Sequence, residues 1–81
     1  MLTMKASLGR IVLVCGESVK YNGADVAPAI VTRVWSDDMV NLTVFPDAET
    51  GLRATSVHIY ADEQSARASG NHVAAYWPPR M

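Results

Sequence analysis

The sequence predicts a small all-β domain, a five-stranded antiparallel barrel. Short runs rich in Val, Ile and Leu recur along the chain, turn residues separate them, and no stretch carries the apolar stripe of a long helix. With 81 residues the chain is near the lower size limit for folding without disulfides or metals. We therefore take residues 1–81 as a single β-barrel domain.

The first two strands are predicted on either side of a long polar connection. Residues 10–15 contain the apolar run IVLVC, which indicates a strand buried on both faces. Residues 16–25 are polar and contain the turn pair Asn22-Gly23. Pro28 fits the first position of the second strand, because a missing N–H costs least there. This strand is expected to run to about Trp35.

Turn signals separate the next two strands. Ser36-Asp37-Asp38 forms a tight turn, since Asp tolerates the left-handed conformation that such turns need. Residues 39–45 form the third strand, and the proline and glycine at the two ends of residues 46–51 indicate a second turn. Leu52–Tyr60 is the fourth strand.

The last part of the chain contains the one helix-compatible segment. Residues 61–71 are expected to form a loop with at most one or two helical turns, which Asp62 caps and Gly70 ends. Residues 72–77 form the fifth strand, and Pro78-Pro79 stops it. The long first connection, the tight middle turns and the late one-turn insertion favour the Src homology 3-like type of barrel.

The hairpin of the second and third strands has two different faces, because alternate residues of a strand point to opposite sides. One face, with the neighbouring strands, supplies the expected core: Ile11, Leu13, Ile30, Val34, Val40, Leu42, Val44, Val57 and Ile59. The other face carries a cation, an amide, a hydroxyl and two aromatic rings: Arg33, Asn41, Thr43, Trp35 and Phe45. Ser56, His58 and Trp77 complete the predicted ligand-binding set.

These residue types suit recognition of a nucleotide-like anion. The Arg33 guanidinium can hold a phosphate, and Trp35 or Phe45 can stack a base. Asn41 and Thr43 would fix its orientation. Two other interpretations remain open. The face can be an oligomer interface, since Trp and Arg are enriched at interface hot spots, or Trp35 can pack across the sheet against Trp77 with Arg33 stacked on it.

Composition and motifs argue against other classes of function. A net charge of −1 lacks the basic excess of a duplex binder, although binding of single strands through aromatic rings stays open. The single Cys15 forms no intrachain disulfide and no metal-site spacing. His58 and His72 stand in no catalytic signature, and Asp37-Asp38 suits a turn. We predict a non-enzymatic protein with no catalytic residues, no cofactor and no metal site.

The aromatic residues also predict self-association. Trp35, Phe45 and Trp77 cannot all be buried in one small barrel, and an exposed apolar patch usually marks an interface. A barrel of this size can hardly enclose a ligand pocket of about 300 Å³, so we expect a deep site only between subunits. A symmetric dimer is the simplest solution. No apolar run is long enough for a membrane span or a signal peptide, which predicts a cytosolic protein with no membrane partner.

The phrases GRIVLV, PAIVTRVW, VNLTVF, ATSV and YWPPR, in this order, resemble a family of small uncharacterised proteins encoded by tailed bacteriophages and prophages. The resemblance covers most of residues 9–80. The stretch ADEQSARASGNHVAAY departs from it, being longer and more alanine-rich than the short acidic turn of the family.

The resemblance implies a viral protein in the cytoplasm of the host cell. Our first hypothesis is a homo-oligomer that binds and sequesters a small nucleotide-like defence signal. The alternative is a protein-interaction module, either a minor virion component or a protein that acts on a host protein. Binding of single-stranded nucleic acid is the third possibility.

Overall fold

Five strands close into a barrel in the order β1-β2-β3-β4-β5. The structure, a computed structural model, describes residues 5–20, 23–46 and 51–78. The strands are β1 (Ile11–Cys15), β2 (Val26–Ser36), β3 (Met39–Val44), β4 (Leu52–Tyr60) and β5 (Ala74–Tyr76). A 3-10 turn, Glu17–Val19, follows β1, and one helix, α1 (Glu63–Ala68), lies between β4 and β5. The predicted small five-stranded barrel is confirmed, and it is consistent with the Src homology 3-like type.

Four of the five strand pairings are antiparallel, and β4 pairs with β5 in parallel. The parallel pairing is short and joins Ile59 to Ala75 and Tyr60 to Tyr76. Parallel neighbours need a crossover connection between them. The segment that contains α1 provides it, because it turns the chain back so that β5 runs in the same direction as β4, beside the last two residues of that strand.

The barrel interior is filled mainly by valine and alanine, and Leu42 is its largest fully buried side chain. Predicted core residues of β3 and β4 are buried as expected: Val40, Leu42, Val44, Val57 and Ile59. In β2 the buried side chains are Ala27, Ala29 and Val31. A core of such small side chains gives a domain of this size modest stability.

Three residues that the sequence placed in the core are exposed instead. Ile11, Ile30 and Val34 keep 57%, 38% and 36% of their surface accessible. The alternation in β2 runs opposite to the prediction, because the smaller Ala27 and Ala29 point inwards and Ile30 points outwards. A bulge between Val31 and Arg33 then shifts the phase, so Val34 lies opposite Val40 but close to the turn of the hairpin, where its side chain is less covered.

A second, smaller cluster lies where α1 packs on the outside of the barrel. Ala66 of the helix is buried there with residues of β1 and β5, and Leu13 packs against this cluster rather than in the main core. Asp62 caps the helix, since its carboxylate accepts a hydrogen bond from the Ser65 amide at 2.8 Å. The predicted short helical insertion with an Asp62 cap is confirmed.

Several predicted boundaries differ by a few residues. Pro28 is the third residue of β2 rather than the first, and the last strand is only Ala74–Tyr76. The fourth strand is confirmed at Leu52–Tyr60. Part of the predicted second turn (residues 47–50), with Asn22 and Pro79, lies outside the described residues.

Candidate functional site

Three of the predicted ligand-binding residues meet on the hairpin of β2 and β3. Arg33 lies directly opposite Asn41 in the sheet. The Arg33 guanidinium stacks over the indole of Trp35, with its carbon 4.2 Å from the ring centroid. The indole N–H donates to the Asn41 side-chain oxygen at 2.9 Å. The three side chains therefore form a chain of contacts with one another.

The Asn41 oxygen has a second partner on β4. It also accepts from the backbone N–H of Ser56 at 2.9 Å. Ser56 lies in a bulge of β4 between Ala54 and Val57, and its φ of 54° is in the left-handed region. A bulge takes the Ser56 amide out of the strand ladder, so it lacks a backbone acceptor on β3. The Asn41 side-chain oxygen serves as its acceptor instead. Its side chain ties the bulge of β4 to Trp35 of β2.

The same side of the sheet carries an apolar strip. Ile11 lies opposite Ile30, and Ile30 lies opposite Thr43, so the three side chains share one side of β1, β2 and β3. Phe45, just after β3, keeps 45% of its surface exposed, and Trp35 keeps 54%. We call this surface the outer face: Ile11, Ile30, Arg33, Trp35, Asn41, Thr43 and Phe45.

Trp77 does not join the outer face. Its ring lies under the Arg10 guanidinium, whose carbon is 5.3 Å from the centroid, and it packs against the barrel core. Trp35 contacts Arg33 and Asn41 rather than Trp77. The third interpretation of the sequence combined two contacts: the stacking of Arg33 on Trp35 is present, whereas the packing of Trp35 against Trp77 is wrong.

His58 and Ser56 line a separate cleft beside β4, of about 540 Å³. We call it the edge cleft; it is lined by Val19, Met39, Val44, Leu52, Arg53, Ala54, Thr55, Ser56, Val57, His58, Asn71 and Val73. The expectation that one barrel could hardly enclose a pocket of about 300 Å³ stays a prediction, because this cleft is partly open to solvent. The reason is that β5 pairs with only two residues of the nine-residue β4, so the sheet stays open beside the rest of the strand.

His58 also makes contacts that orient its ring. Its Nε2 lies 3.6 Å from a carboxylate oxygen of Asp38, and its ring meets Tyr60 edge-on with centroids 4.4 Å apart. These contacts hold the imidazole between the β2–β3 turn and the end of β4. No local pattern of residues indicates the edge cleft, because the cleft depends on how far β4 and β5 overlap.

Displaced pKa values occur around α1. Two hydrogen bonds and the charge of Arg67 lower the pKa of Asp25, and the backbone N–H of Ser65 lowers that of Asp62. Burial raises the pKa of the Cys15 thiol, which lies under the helix. This thiol is therefore a poor nucleophile. Within residues 5–20, 23–46 and 51–78, no three His, Cys, Asp or Glu side chains are grouped so that they could hold a metal ion.

Comparison of the chain with protein-family models, with curated proteins and with solved structures gives no match. The fold and the geometry of the two surfaces therefore carry the functional argument. Among the described residues, no helix is long and apolar enough to cross a membrane.

Proposed function

We propose that this protein is a non-enzymatic binding module, phage-encoded as the resemblance implies, whose outer face docks another protein in the host cytoplasm. The observation that carries the proposal is the exposed apolar strip beside the Arg33–Trp35 stack. Its large side chains, Ile11, Ile30, Trp35 and Phe45, are more than a third exposed. Apolar surfaces of this kind usually mark protein interfaces, with Trp and Arg as typical anchors.

A second copy of the same chain is the occupant that the chemistry favours. Arg33 on the outer face and Asp37 and Asp38 at the adjoining turn give one hairpin both signs of charge. A patch of this kind can pair with itself across a two-fold axis. The small Val and Ala core also favours a dimer, because burying the strip adds apolar contacts that the barrel interior lacks.

A matched pair of substitutions on β2 tests the dimer. Ile30 and Val34 are β-branched, equally exposed at 38% and 36%, and lie on opposite sides of the sheet. We expect the wild-type chain to sediment at twice its mass of 8.8 kDa at tens of micromolar. Ile30→Lys should give the monomer, and Val34→Lys should leave the dimer intact. A wild-type monomer, or equal behaviour of the two variants, would contradict the proposal.

A host protein is the second candidate for the outer face, and Trp35 is its natural anchor. In this case the wild-type chain is a monomer, and Trp35→Ala removes one defined partner from a pull-down out of infected cells. Recovery of the protein in purified virions would instead support a role as a minor virion component. Partners that are unchanged by Trp35→Ala would exclude this use of the outer face.

Binding of a nucleotide-like ligand to the same residues stays a prediction. The Trp35 indole N–H already donates to the Asn41 side-chain oxygen, and Arg33 covers the indole ring. A base can stack on Trp35 only after Arg33 moves away, which makes this ligand less favourable than a protein surface. A thermal-shift screen of cyclic and ADP-ribose-type nucleotides tests it, since a ligand at a hundredfold excess over Kd stabilises by about 2.7 kcal/mol.

A further inference from the structure

The edge cleft is a second surface, and its Arg53 borders the outer face because it lies opposite Thr43 in the sheet. It runs beside β4, which pairs with β3 along its length but with β5 only at Ile59 and Tyr60. No strand among the described residues pairs with the earlier part of β4 on that side. An unpaired strand edge presents backbone donors and acceptors in a row.

The register shows which backbone groups are free. The Phe45 N–H donates to the Pro28 oxygen, so odd-numbered residues of β3 direct their backbone groups towards β2. The even-numbered residues Leu42 and Val44 therefore bond to β4, where their partners are Ala54 and Leu52. Arg53 lies between these two partners, and Thr55 follows them. Both therefore direct their N–H and C=O groups away from β3. These groups face the edge cleft.

The side chains of the edge cleft add an apolar floor and a positive charge. Val19, Val57 and Val73 supply apolar surface from three separate segments. Arg53 and His58 are the basic residues of the lining, and no Asp or Glu belongs to it within the described parts of the chain. No Trp, Tyr or Phe lines it either, so a nucleobase would find no such ring to stack on.

We propose that the edge cleft binds an extended acidic peptide segment of another protein, which adds to β4 as an extra strand. Its backbone would pair with the free groups of Arg53 and Thr55, as in other cases of strand addition. A peptide carboxylate would meet the Arg53 guanidinium, which suits carboxylates. Alternation would send the neighbouring apolar side chains to the valine floor.

The test uses the probe Ac-Thr-Val-Glu-Val-Thr-NH2 and amide hydrogen exchange followed by NMR. In the free protein the amides of Arg53 and Thr55 should exchange rapidly, whereas the Ala54 amide, which faces β3, should be protected. Saturating probe should slow exchange at Arg53 and Thr55 at least about tenfold, as expected of new backbone hydrogen bonds. The same peptide methylated on its backbone nitrogens should not do so, because the methyl groups keep its backbone too far from β4 for its carbonyl oxygens to accept these hydrogen bonds.

Charge variants test the acidic preference. Arg53→Glu should weaken binding of the probe about tenfold or more, and a probe with Lys in place of Glu should bind this variant better. Lys5→Glu makes the same charge change at a residue outside the lining and should leave binding unchanged. Because Ile30 is not part of the lining, Ile30→Lys should bind the probe as wild type does, even where the dimer proposal fails.

Three results would overturn the proposal. The first is protection of Arg53 and Thr55 in the free protein at low concentration. The second is protection of the same two amides that rises with protein concentration in the absence of the probe, which would mean that a second copy of the chain pairs with the edge of β4. The third is binding without backbone pairing. Either equal binding of the methylated and unmethylated probes, or protection by AMP but not by the peptide, would show it, and the second of these would make the edge cleft a small-molecule site.

Discussion

At the scale of single residues, Asn41 shows how a residue typical of ligand recognition is used within the fold. Its side-chain oxygen accepts both the Trp35 indole N–H and the Ser56 backbone N–H. The second bond matters because the bulge turns the Ser56 amide out of the regular ladder. Asn41 thus stabilises the shape of the outer face, whatever that face binds.

Asn41→Ala should therefore lower the free energy of unfolding by about 1–2 kcal/mol, because two donors lose their acceptor. Asn41→Asp keeps a side-chain oxygen in place and should lose much less. Thr43→Ala, on the same strand and face, is the control for a general loss of side-chain contacts. Urea denaturation of the three variants measures this. Equal losses for Asn41→Ala and Thr43→Ala would show that the two hydrogen bonds contribute nothing measurable.

At the scale of elements, α1 is held against the barrel by charge as well as by packing. Arg67 bonds both carboxylate oxygens of Asp25, at 3.0 and 3.3 Å, and also pairs with Glu63 at 2.7 Å within the helix. Asp25 lies just before β2, 42 positions away in the sequence. The pair therefore links the helix to the β1–β2 connection. Both side chains are about 40% exposed, so the link is partly screened by solvent.

This pair predicts a dependence of stability on pH. The Arg67 hydrogen bonds lower the pKa of Asp25 in the folded state, so their stabilisation is complete above the unfolded pKa of about 3.9 and is lost as the pH falls through the folded value. The urea midpoint of the wild-type protein should fall between neutral and strongly acidic pH, and Arg67→Gln should make this fall smaller. Lys5→Gln, which removes an exposed cation that does not contribute to the lowered pKa of Asp25, is the control. An unchanged acid profile in Arg67→Gln would contradict the prediction.

At the scale of the whole molecule, closure of the barrel depends on a close approach at Gly16. Its φ of 127° and ψ of 179° belong to a region that only glycine adopts readily. A Cβ atom there would lie 2.1 Å from the carbonyl oxygen of His72, on the segment that leads into β5. The end of β1 and the start of β5 can therefore meet only if residue 16 has no side chain.

Gly16→Ala should destabilise the protein by more than about 3 kcal/mol, because backbone strain and overlap with the His72 backbone add together. Gly23→Ala is the matched control: φ there is +82°, but nothing lies within 4 Å of the added Cβ. It should cost only the strain, about 1–2 kcal/mol. Thermal denaturation of both variants compares the two costs. Similar losses would mean that the chain at His72 shifts easily and that closure does not depend on this contact.

Residue patterns alone were enough to predict the fold class, the turn at Asp37-Asp38, the fourth strand and the capped helix. These features depend on local signals: apolar runs, turn residues and the Asp62 cap, all within a few positions of one another. Strand alternation and the short hairpin also predicted that Arg33, Trp35 and Asn41 lie on one face.

The composition of the core and the position of the edge cleft depend instead on how the strands pack together. The sequence placed Ile11 and Ile30 in the core by their hydrophobicity, but the barrel interior accepts the smaller Ala27 and Ala29, and this choice created the apolar outer face. The edge cleft arises because β5 is far shorter than β4. Both outcomes depend on the fit between strands that are distant in the sequence, and local patterns carry no record of that fit.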